Sequence, residues 1–405
     1  MYKIPELLAP AGSFETLKTA YYFGADAAYI AGKSFGLRAF AANFDDDALK
    51  EAVLYAHERQ KKLYITVNSV IHNHQLADLK DYLVYLSEIG ADAVIFADPA
   101  VAKIIRDHHI PLEMHLSTQT NTFNYASAAF WHELGVKRIV LSRELTLEEI
   151  AAIVAHIPET LEIETFVHGA MCVAHSGRCL LSSALTGRSG NKGECAQPYR
   201  WEYYLHERGY DGQYFPIGED EHGTYILNSK DLMMIEYIDL LSAAGVASLK
   251  IEGRMKSPYY VASVVGAYRR ALDAYAQAGP KYVFDQSLKE ELIKSASRQF
   301  CTGFYFGKPE QDLEKTLSPD RKYCFAAVVR QDAENGRVLV EQRNRFFAGD
   351  ELEVLSPALW GEKLTVEEIR NQDGETQPSA PHPQQKLYLP CTLPLKAGDI
   401  LRKVL

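Results

Sequence analysis

The sequence predicts an α/β protein: a (β/α)8 TIM-like barrel with a long cysteine-bearing insertion after its seventh strand, plus a small C-terminal β-barrel domain. Amphipathic helical segments alternate with eight short apolar segments, which is the pattern of a parallel sheet. Eight such units favour closure into a barrel. A doubly wound open sheet is the alternative, and the lack of a GxGxxG motif after the first strand weakens it.

The eight predicted strands can be read in order along the chain. One unit recurs four times, in which a glycine that can end a helix is followed by a small residue and an apolar strand. It occurs as GADAAYI (24–30), GADAVIF (90–96), GVKRIVL (135–141) and GVASLKI (245–251). The other strands are PELLAP (5–10), KLYITVN (62–68), LEMHLST (112–118) and LEIETFV (161–167), and helical patterns such as LADLKDYLVYLSEI lie between them.

The pattern divides the chain into two domains. We expect the barrel to span residues 1–318, with the insertion at 168–244. After Pro319, short alternating strands are separated by turn signals such as Glu334-Asn335-Gly336. We therefore expect a β-domain over residues 319–405.

Composition restricts the class of protein. The chain has 405 residues, 47% of them hydrophobic, and no apolar run of membrane-spanning length or charged leader, so we expect a cytoplasmic protein without a membrane span. Six cysteines are too few for a disulfide scaffold. The net charge is −10, yet the stretch 250–270 holds five basic residues and one acidic residue. That stretch is either a nucleic-acid-binding patch or a solvated helix face.

Three of the six cysteines crowd into one glycine- and serine-rich run, as Cys172-x6-Cys179-x15-Cys195. Thiolates on such a loop are typical ligands of soft metals and iron–sulfur clusters. The alternative is that they are reduced structural thiols. His168 and His175 flank Cys172 and leave two further alternatives open, a Cys–His hydrolase and a zinc site. There is no GxSxG, HExxH or GxxxxGK[ST] motif.

Polar residues follow the predicted strands at their carboxyl ends, where barrel enzymes place their chemistry. Guanidinium groups suit a carboxylate or phosphate, so the candidate substrate-binding residues are arginines, and the candidate catalytic residues are histidine and glutamate. The former are Arg38, Arg143, Arg254 and Arg178, and the latter are His168, Glu252 and His115.

The run ETFVHGAMCVAHSGRCLLSSALTGR…NKGECAQPYRW strongly resembles the signature of the collagenase-like peptidases, the "U" peptidases of family 32. ELLAPAGS (6–13), YILNSKDL (225–232), LKIEGRMKSPYYV and TGFYFGKP fit the same family, so the resemblance spans the whole chain. It is closest to the branch that hydroxylates the wobble uridine of tRNA to 5-hydroxyuridine in a prephenate-dependent reaction. The resemblance implies a barrel, a C-terminal β-domain and an iron–sulfur cluster, expected to be 4Fe-4S, on the signature cysteines.

The chain departs from the family at the fourth ligand. The resemblance suggests a cysteine where Tyr199 or Met233 stands, and Cys301 is the first choice to replace it. An iron open to substrate and a lost cluster are the alternatives. The resemblance implies prephenate and the tRNA anticodon loop as substrates. A peptidase, which the family name implies, and a non-catalytic partner of a paralogous subunit remain as other functions.

Overall fold

In a computed structural model, the structure describes residues 4–37, 43–171, 230–296, 298–307 and 323–405, with residue 186 and the pairs 204–205 and 215–216. The first part of the chain forms strands that alternate with helices. The strands are β1 (Glu6–Pro10), β2 (Ala27–Ala31), β3 (Lys62–Val67), β4 (Ala93–Phe96), β5 (Glu113–Leu116), β6 (Arg138–Val140), β7 (Glu162–Gly169), β8 (Tyr204–Leu205), β9 (Phe215–Pro216), β10 (Asp231–Met233), β11 (Ser248–Ile251) and β12 (Phe300–Cys301).

Eight of these strands close into a parallel barrel. β1 to β7 pair in sequence order, and β11 pairs with both β7 and β1. The barrel strands coincide with the eight apolar segments predicted from the sequence, so the barrel is confirmed and the open sheet is wrong. Closure follows from the pairing of β11 with both ends of the row, because each strand then has two neighbours.

Helices cover the outside of the barrel, and local sequence sets their ends. Five side chains cap α1, α2, α4, α5 and α6 by accepting a backbone N–H: Ser13, Asp45, Asp98, Asn124 and Thr146. The described helices are α1 (Phe14–Tyr22), α2 (Asp46–His57), α3 (Leu76–Glu88), α4 (Pro99–Asp107), α5 (Tyr125–Glu133), α6 (Leu147–Ala155), α7 (Ile238–Ala243), α8 (Pro258–Ala278) and α9 (Gln286–Ser295). None of them is long and apolar enough to cross a membrane.

The glycine units do what the sequence predicts. The four glycines that precede β2, β4, β6 and β11 all have positive φ, between 82° and 101°: Gly24, Gly90, Gly135 and Gly245. A residue with a Cβ resists that conformation. Each glycine therefore lets the chain leave a helix and enter a strand within a few residues.

The amino-terminal half of the barrel interior holds buried charges. Arg138 donates to Glu6, Glu162 and Glu164, and the ammonium group of Lys250 lies 2.8 Å from Glu164 Oε1. Burial alone would raise the pKa of Glu164, but the charges of Lys250 and Arg138 hold it below its usual value. The pairing is necessary, since an unpaired charge in this interior would be very costly.

β7 is the longest barrel strand and continues beyond the barrel wall. Its last residues pair with β10, with Leu232 opposite Gly169, and β10 pairs in turn with β12, with Leu232 beside Cys301. The register between β7 and β11 shifts by one residue, so that Phe166 pairs with Lys250 but His168 pairs with Ile251. This bulge turns the end of β7 away from a regular inward and outward alternation.

The C-terminal part is an eight-stranded antiparallel sheet in the order β16-β15-β20-β13-β14-β19-β17-β18, and it has the form of a half-barrel. The predicted β-rich domain is therefore confirmed. Its strands are β13 (Tyr323–Val329), β14 (Arg337–Gln342), β15 (Glu351–Leu355), β16 (Lys363–Thr365), β17 (Ile369–Arg370), β18 (Thr376–Gln377), β19 (Lys386–Pro390) and β20 (Ile400–Val404).

Candidate functional site

The carboxyl ends of the barrel strands form a mouth lined by polar side chains. Asn68 follows β3, and Ser117 and Gln119 follow β5. The Asn68 amide donates to Gln119 Oε1 at 2.7 Å, and Gln119 Nε2 donates back to the Asn68 carbonyl oxygen at 3.2 Å. Ser117 Oγ also donates to Gln119 Oε1, at 3.0 Å. Two separate strands are thereby fixed to each other at the mouth.

Arg254 lies in the mouth and is only 5% exposed. Its Nη1 donates to Thr66 Oγ1 at 3.0 Å, and its Nη2 donates to the carbonyl oxygen of Leu37. The guanidinium group therefore ties the loop after β2 to β3. Arg38 follows Leu37 directly but lies outside the described residues, as does Arg178.

Arg143 lies on the loop after β6, half-buried at the mouth. Its Nη1 donates to the Ala170 carbonyl oxygen at 3.2 Å, and its Cζ lies 5.5 Å from the centre of the Phe166 ring. Among the described residues, no carboxylate lies within ion-pair distance of Arg143. Its charge is thus available to an anion, whereas the terminal nitrogens of Arg254 already have partners.

Glu252 directly follows β11 and also lies at the mouth, partly exposed. The hydroxyl of Tyr29, which projects from β2 into the barrel, is 3.2 Å from Glu252 Oε2 and 3.1 Å from the carbonyl oxygen of Ile251. The hydroxyl of Tyr260 donates to the Glu252 carbonyl oxygen at 2.9 Å. Tyr29 was not predicted from the sequence, although its place in β2 at alternate spacing from Ala27 indicates an inward side chain.

His115 lies inside the barrel, fully buried, and not at the mouth. Its Nε2 is 2.8 Å from Glu113 Oε1, and its ring meets the Tyr64 ring edge-on at 4.6 Å. Burial lowers the pKa of His115, and the hydrogen bond to Glu113 opposes that effect only in part. The imidazole is therefore neutral near neutral pH.

His168 is also buried, at 1% exposure, and the β7 bulge places it among aromatic rings. Its ring lies 5.2 Å from Phe300, 5.6 Å from Tyr268 and 6.0 Å from Tyr260. Its Nδ1 has no hydrogen-bond partner among the described residues. Burial, with a smaller effect of the Lys256 charge, lowers the pKa of His168 to about 3.

The three signature cysteines, Cys172, Cys179 and Cys195, lie outside the described residues. Cys301 is described and lies half-buried on β12, level with Gly169 across β10. Two strand spacings separate Gly169 from Cys301, which is roughly 10 Å. Gly169, three residues before Cys172 in the sequence, therefore lies on the same edge of the sheet as Cys301.

A thiolate at this position has the chemistry that an iron–sulfur cluster requires. No group of three or more histidine, cysteine or acidic residues that could hold a metal occurs in the part of the chain that the structure describes. Any such ligand set would therefore have to include residues outside the described part of the chain, which is where the signature cysteines lie.

The basic stretch 250–270 does not form one surface. Lys250 is buried in the barrel beside Glu164, and Arg254 is buried at the mouth. Arg269 pairs with Asp26 and Asp273, while Arg270 lies 4.4 Å from the Trp360 ring of the C-terminal sheet. The helix geometry and the turn before α8 send these cations in different directions, so they do not make a nucleic-acid-binding patch.

Comparison with known proteins identifies related sequences over almost the whole chain. The model of Peptidase family U32 matches residues 12–315, and that of the Peptidase family U32 C-terminal domain matches residues 321–402. The chain is 38% identical to tRNA hydroxylation protein P1 of Bacillus subtilis over 404 residues, which is 99% of this chain and 95% of that protein. It is 36% identical to tRNA hydroxylation protein P of Escherichia coli, over 96% of this chain and 94% of that protein.

Among solved structures, the chain is similar to the C-terminal domain of a Geobacillus thermoleovorans putative U32 peptidase. The identity is 33%, with a TM-score of 0.19, and the match covers 20% of this chain and 99% of that domain.

Proposed function

Because this chain belongs to peptidase family U32 through both its barrel and its C-terminal sheet, we propose that it is a tRNA-modifying enzyme. The reaction is hydroxylation of carbon 5 of the wobble uridine, with prephenate as co-substrate and an iron–sulfur cluster as cofactor. The observation that carries the proposal is the similarity, over nearly the full length, to relatives that bear the name tRNA hydroxylation protein. The wobble base lies in a single-stranded loop, which a barrel mouth can reach without opening a duplex.

The residues that would hold the cluster are Cys172, Cys179, Cys195 and Cys301. When bound, the cluster supplies electron transfer. The position of Cys301 beside the start of the cysteine segment supports its role as the fourth ligand, in place of Tyr199 or Met233. Met233 itself lies on β10 and is buried, 5% exposed, opposite His168.

Arg143 is the residue best placed to bind a carboxylate of prephenate. It lies at the mouth, has no described carboxylate partner and keeps donors free beyond the one used by Ala170. Arg254 supports the same region by holding the loop that leads to Arg38. Glu252, positioned by Tyr29, is the acidic group that faces the mouth and is the candidate to hold or move a proton.

A peptidase is the second candidate, because the family bears that name. A thiol or serine peptidase needs a histidine within hydrogen-bond reach of its nucleophile. Among the described residues, His115 is bonded to Glu113, and His168 is enclosed by aromatic rings. Cys172 and His175, the pair that a Cys–His peptidase would use, lie outside the described residues, so the preference for a modifying enzyme rests on the relatives.

The proposal is tested by comparing tRNA nucleosides from a deletion strain with those from strains that express single cysteine-to-serine variants. Loss of 5-hydroxyuridine in the deletion strain, restored by the wild-type chain, is expected. Normal 5-hydroxyuridine in the deletion strain would contradict the proposal. If purified wild-type chain lacks activity until a paralogous subunit is added, it is instead a partner subunit.

The cluster is tested separately by iron and sulfide analysis of anaerobically purified protein. We expect the serine variants of Cys172, Cys179, Cys195 and Cys301 to lose iron and modification together. Cys324→Ser is the matched control, because Cys324 is half-buried like Cys301 but lies on β13 of the C-terminal sheet. Full iron content in Cys301→Ser would remove Cys301 from the ligand set.

A further inference from the structure

The segment from the end of β3 to the first residue of α3, residues 68–76, presents an exposed pair of stacked rings, and we call it the rim loop. The imidazoles of His72 and His74 lie 5.8 Å apart, with an interplanar angle of 16°, and both residues are exposed. Val70 and Leu76 on the same loop are 50% and 39% exposed. Packing within the protein does not explain why four apolar or aromatic side chains are exposed on one short segment.

Backbone groups hold the rim loop in place. The backbone N–H of Ser69 donates to the Phe35 carbonyl oxygen at 3.0 Å, and that of Ile71 donates to Asp98 Oδ2 at 3.2 Å. The N–H of His72 donates to Gln75 Oε1 at 2.9 Å. The His72 side chain takes part in a capping box with the backbone N–H of Gln75, whereas no described contact that anchors the loop involves the His74 ring.

The loop begins in the mouth. Asn68, its first residue, is bonded to Gln119, and His72 comes only four positions after Asn68. That length of chain spans at most roughly 14 Å. The ring pair consequently stands at the edge of the mouth, within about two nucleotides of any base that enters it.

We propose that the His72–His74 pair is a stacking platform for a base of a single-stranded RNA loop that neighbours the base in the mouth. This inference rests on the proposed function and adds a binding surface to it. Flat exposed rings suit nucleobases, since proteins that bind single-stranded RNA stack bases on aromatic and histidine side chains. The carboxylate that anchors this loop belongs to Asp98. It accepts hydrogen bonds from the backbone N–H groups of Ile71 and Ala100, which reduces its repulsion of an RNA phosphate.

The test measures binding of a fluorescent anticodon stem-loop RNA to the full chain by anisotropy, over a series of salt concentrations. We expect His72→Ala/His74→Ala to bind about tenfold more weakly. The slope of log affinity against log salt should stay unchanged, because stacking releases no counterions. His72→Phe/His74→Phe should restore most of the affinity, which a role of the imidazoles in holding the loop would not predict.

His108→Ala is the matched control. His108 is an exposed histidine that ends α4, at the opposite end of the barrel from the mouth, and its removal should leave binding unchanged. Equal affinity of the double alanine variant and the wild type would overturn the inference while leaving the proposed function intact. Wild-type protein that neither binds the stem-loop nor modifies tRNA would instead overturn the proposed function.

Discussion

At the scale of single residues, burial decides which titratable groups can act. His168 was expected at the mouth, but the structure encloses it in aromatic rings with an unpartnered Nδ1. Arg143 and Arg254 both reach the mouth. Arg254 donates to the Thr66 hydroxyl and to the Leu37 carbonyl oxygen, whereas Arg143 donates only to the Ala170 carbonyl oxygen among the described residues. The buried His168 therefore affects the stability of the fold at low pH, whereas Arg143 affects the binding of an anionic ligand.

His168 should make the fold sensitive to acid. Its pKa is about 3 in the folded chain and about 6.5 when unfolded, so the unfolded chain binds more protons between those values. Stability therefore falls as pH drops below about 6.5, by up to about 1.4 kcal/mol per pH unit from this residue. Urea unfolding at pH 7 and at pH 5 measures this loss of unfolding free energy. The His168→Leu variant should show a smaller loss between the two pH values. An unchanged pH dependence in that variant would contradict the prediction.

Arg143→Gln should weaken binding of the anionic co-substrate. Loss of a hydrogen bond to a charged group costs about 1.5–3 kcal/mol, which predicts a KM for prephenate raised by about tenfold or more, with the fold intact. Steady-state assays of tRNA hydroxylation measure the effect. Arg106→Gln, an exposed arginine on α4, is the control and should behave like the wild type.

At the scale of elements, the end of β7 contacts both Glu252 and Arg143 of the candidate site. Gly169 has φ 107°, and a Cβ on it would meet the carbonyl group of Glu252. The close approach lets β7 and the turn after β11 lie side by side, with Ala170 facing Arg143. Gly169 lies two residues before the last described residue of this stretch, Met171.

Gly169→Ala should destabilise the fold more than the same change at a glycine with open surroundings. Gly361 is the matched control, with φ 82° and no atom within 4 Å of a built Cβ, and Gly361→Ala should cost about 1 kcal/mol through backbone strain alone. Gly169→Ala adds a steric clash and should cost about 1–3 kcal/mol more. Urea titration of both variants provides the comparison, and equal losses would show that the contact with Glu252 relaxes.

At the scale of the whole molecule, buried ion pairs join the C-terminal sheet to the barrel. Arg402 of β20 is fully buried, and it donates to Glu291 of α9 and to Glu353 of β15. Tyr22 of α1 donates to Asp399 at 2.8 Å, and Arg330 reaches Glu15 at the start of α1, also at 2.8 Å. These contacts hold the sheet against α1 and α9, so both parts should unfold together.

Arg402→Met should cost about 3–5 kcal/mol of unfolding free energy, because it leaves the Glu291 carboxylate buried without its main partner. Glu291→Leu combined with Arg402→Met should cost less than the sum of the two single changes. Lys363→Met, which removes an exposed pair with Glu351, is the control and should change the unfolding free energy far less than Arg402→Met does. Additive losses in the double variant would contradict the coupling.

Local patterns were enough to predict the strands, the helices and the barrel. Apolar runs of strand length, capping residues and glycine-ended helices act over a few neighbouring residues, so the sequence alone determined the eight β/α units and the β-rich C-terminal domain. It also placed Arg143 and Glu252 at the carboxyl ends of their strands, since strand ends follow from strand positions. The direction in which a side chain points beyond the end of its strand could not be predicted from local patterns.

Only the tertiary structure decided which of these polar residues face the mouth. The bulge between β7 and β11 depends on two strands that are far apart in sequence. It directs the His168 side chain into a pocket of aromatic rings. Closure of the barrel buried Lys250 and His115, although their positions in the sequence suggested a basic patch and a catalytic group. The pairing of β10 with β12 brought Cys301 level with Gly169 from more than a hundred residues away, because strand pairing, unlike helix capping, takes its partners from anywhere in the chain.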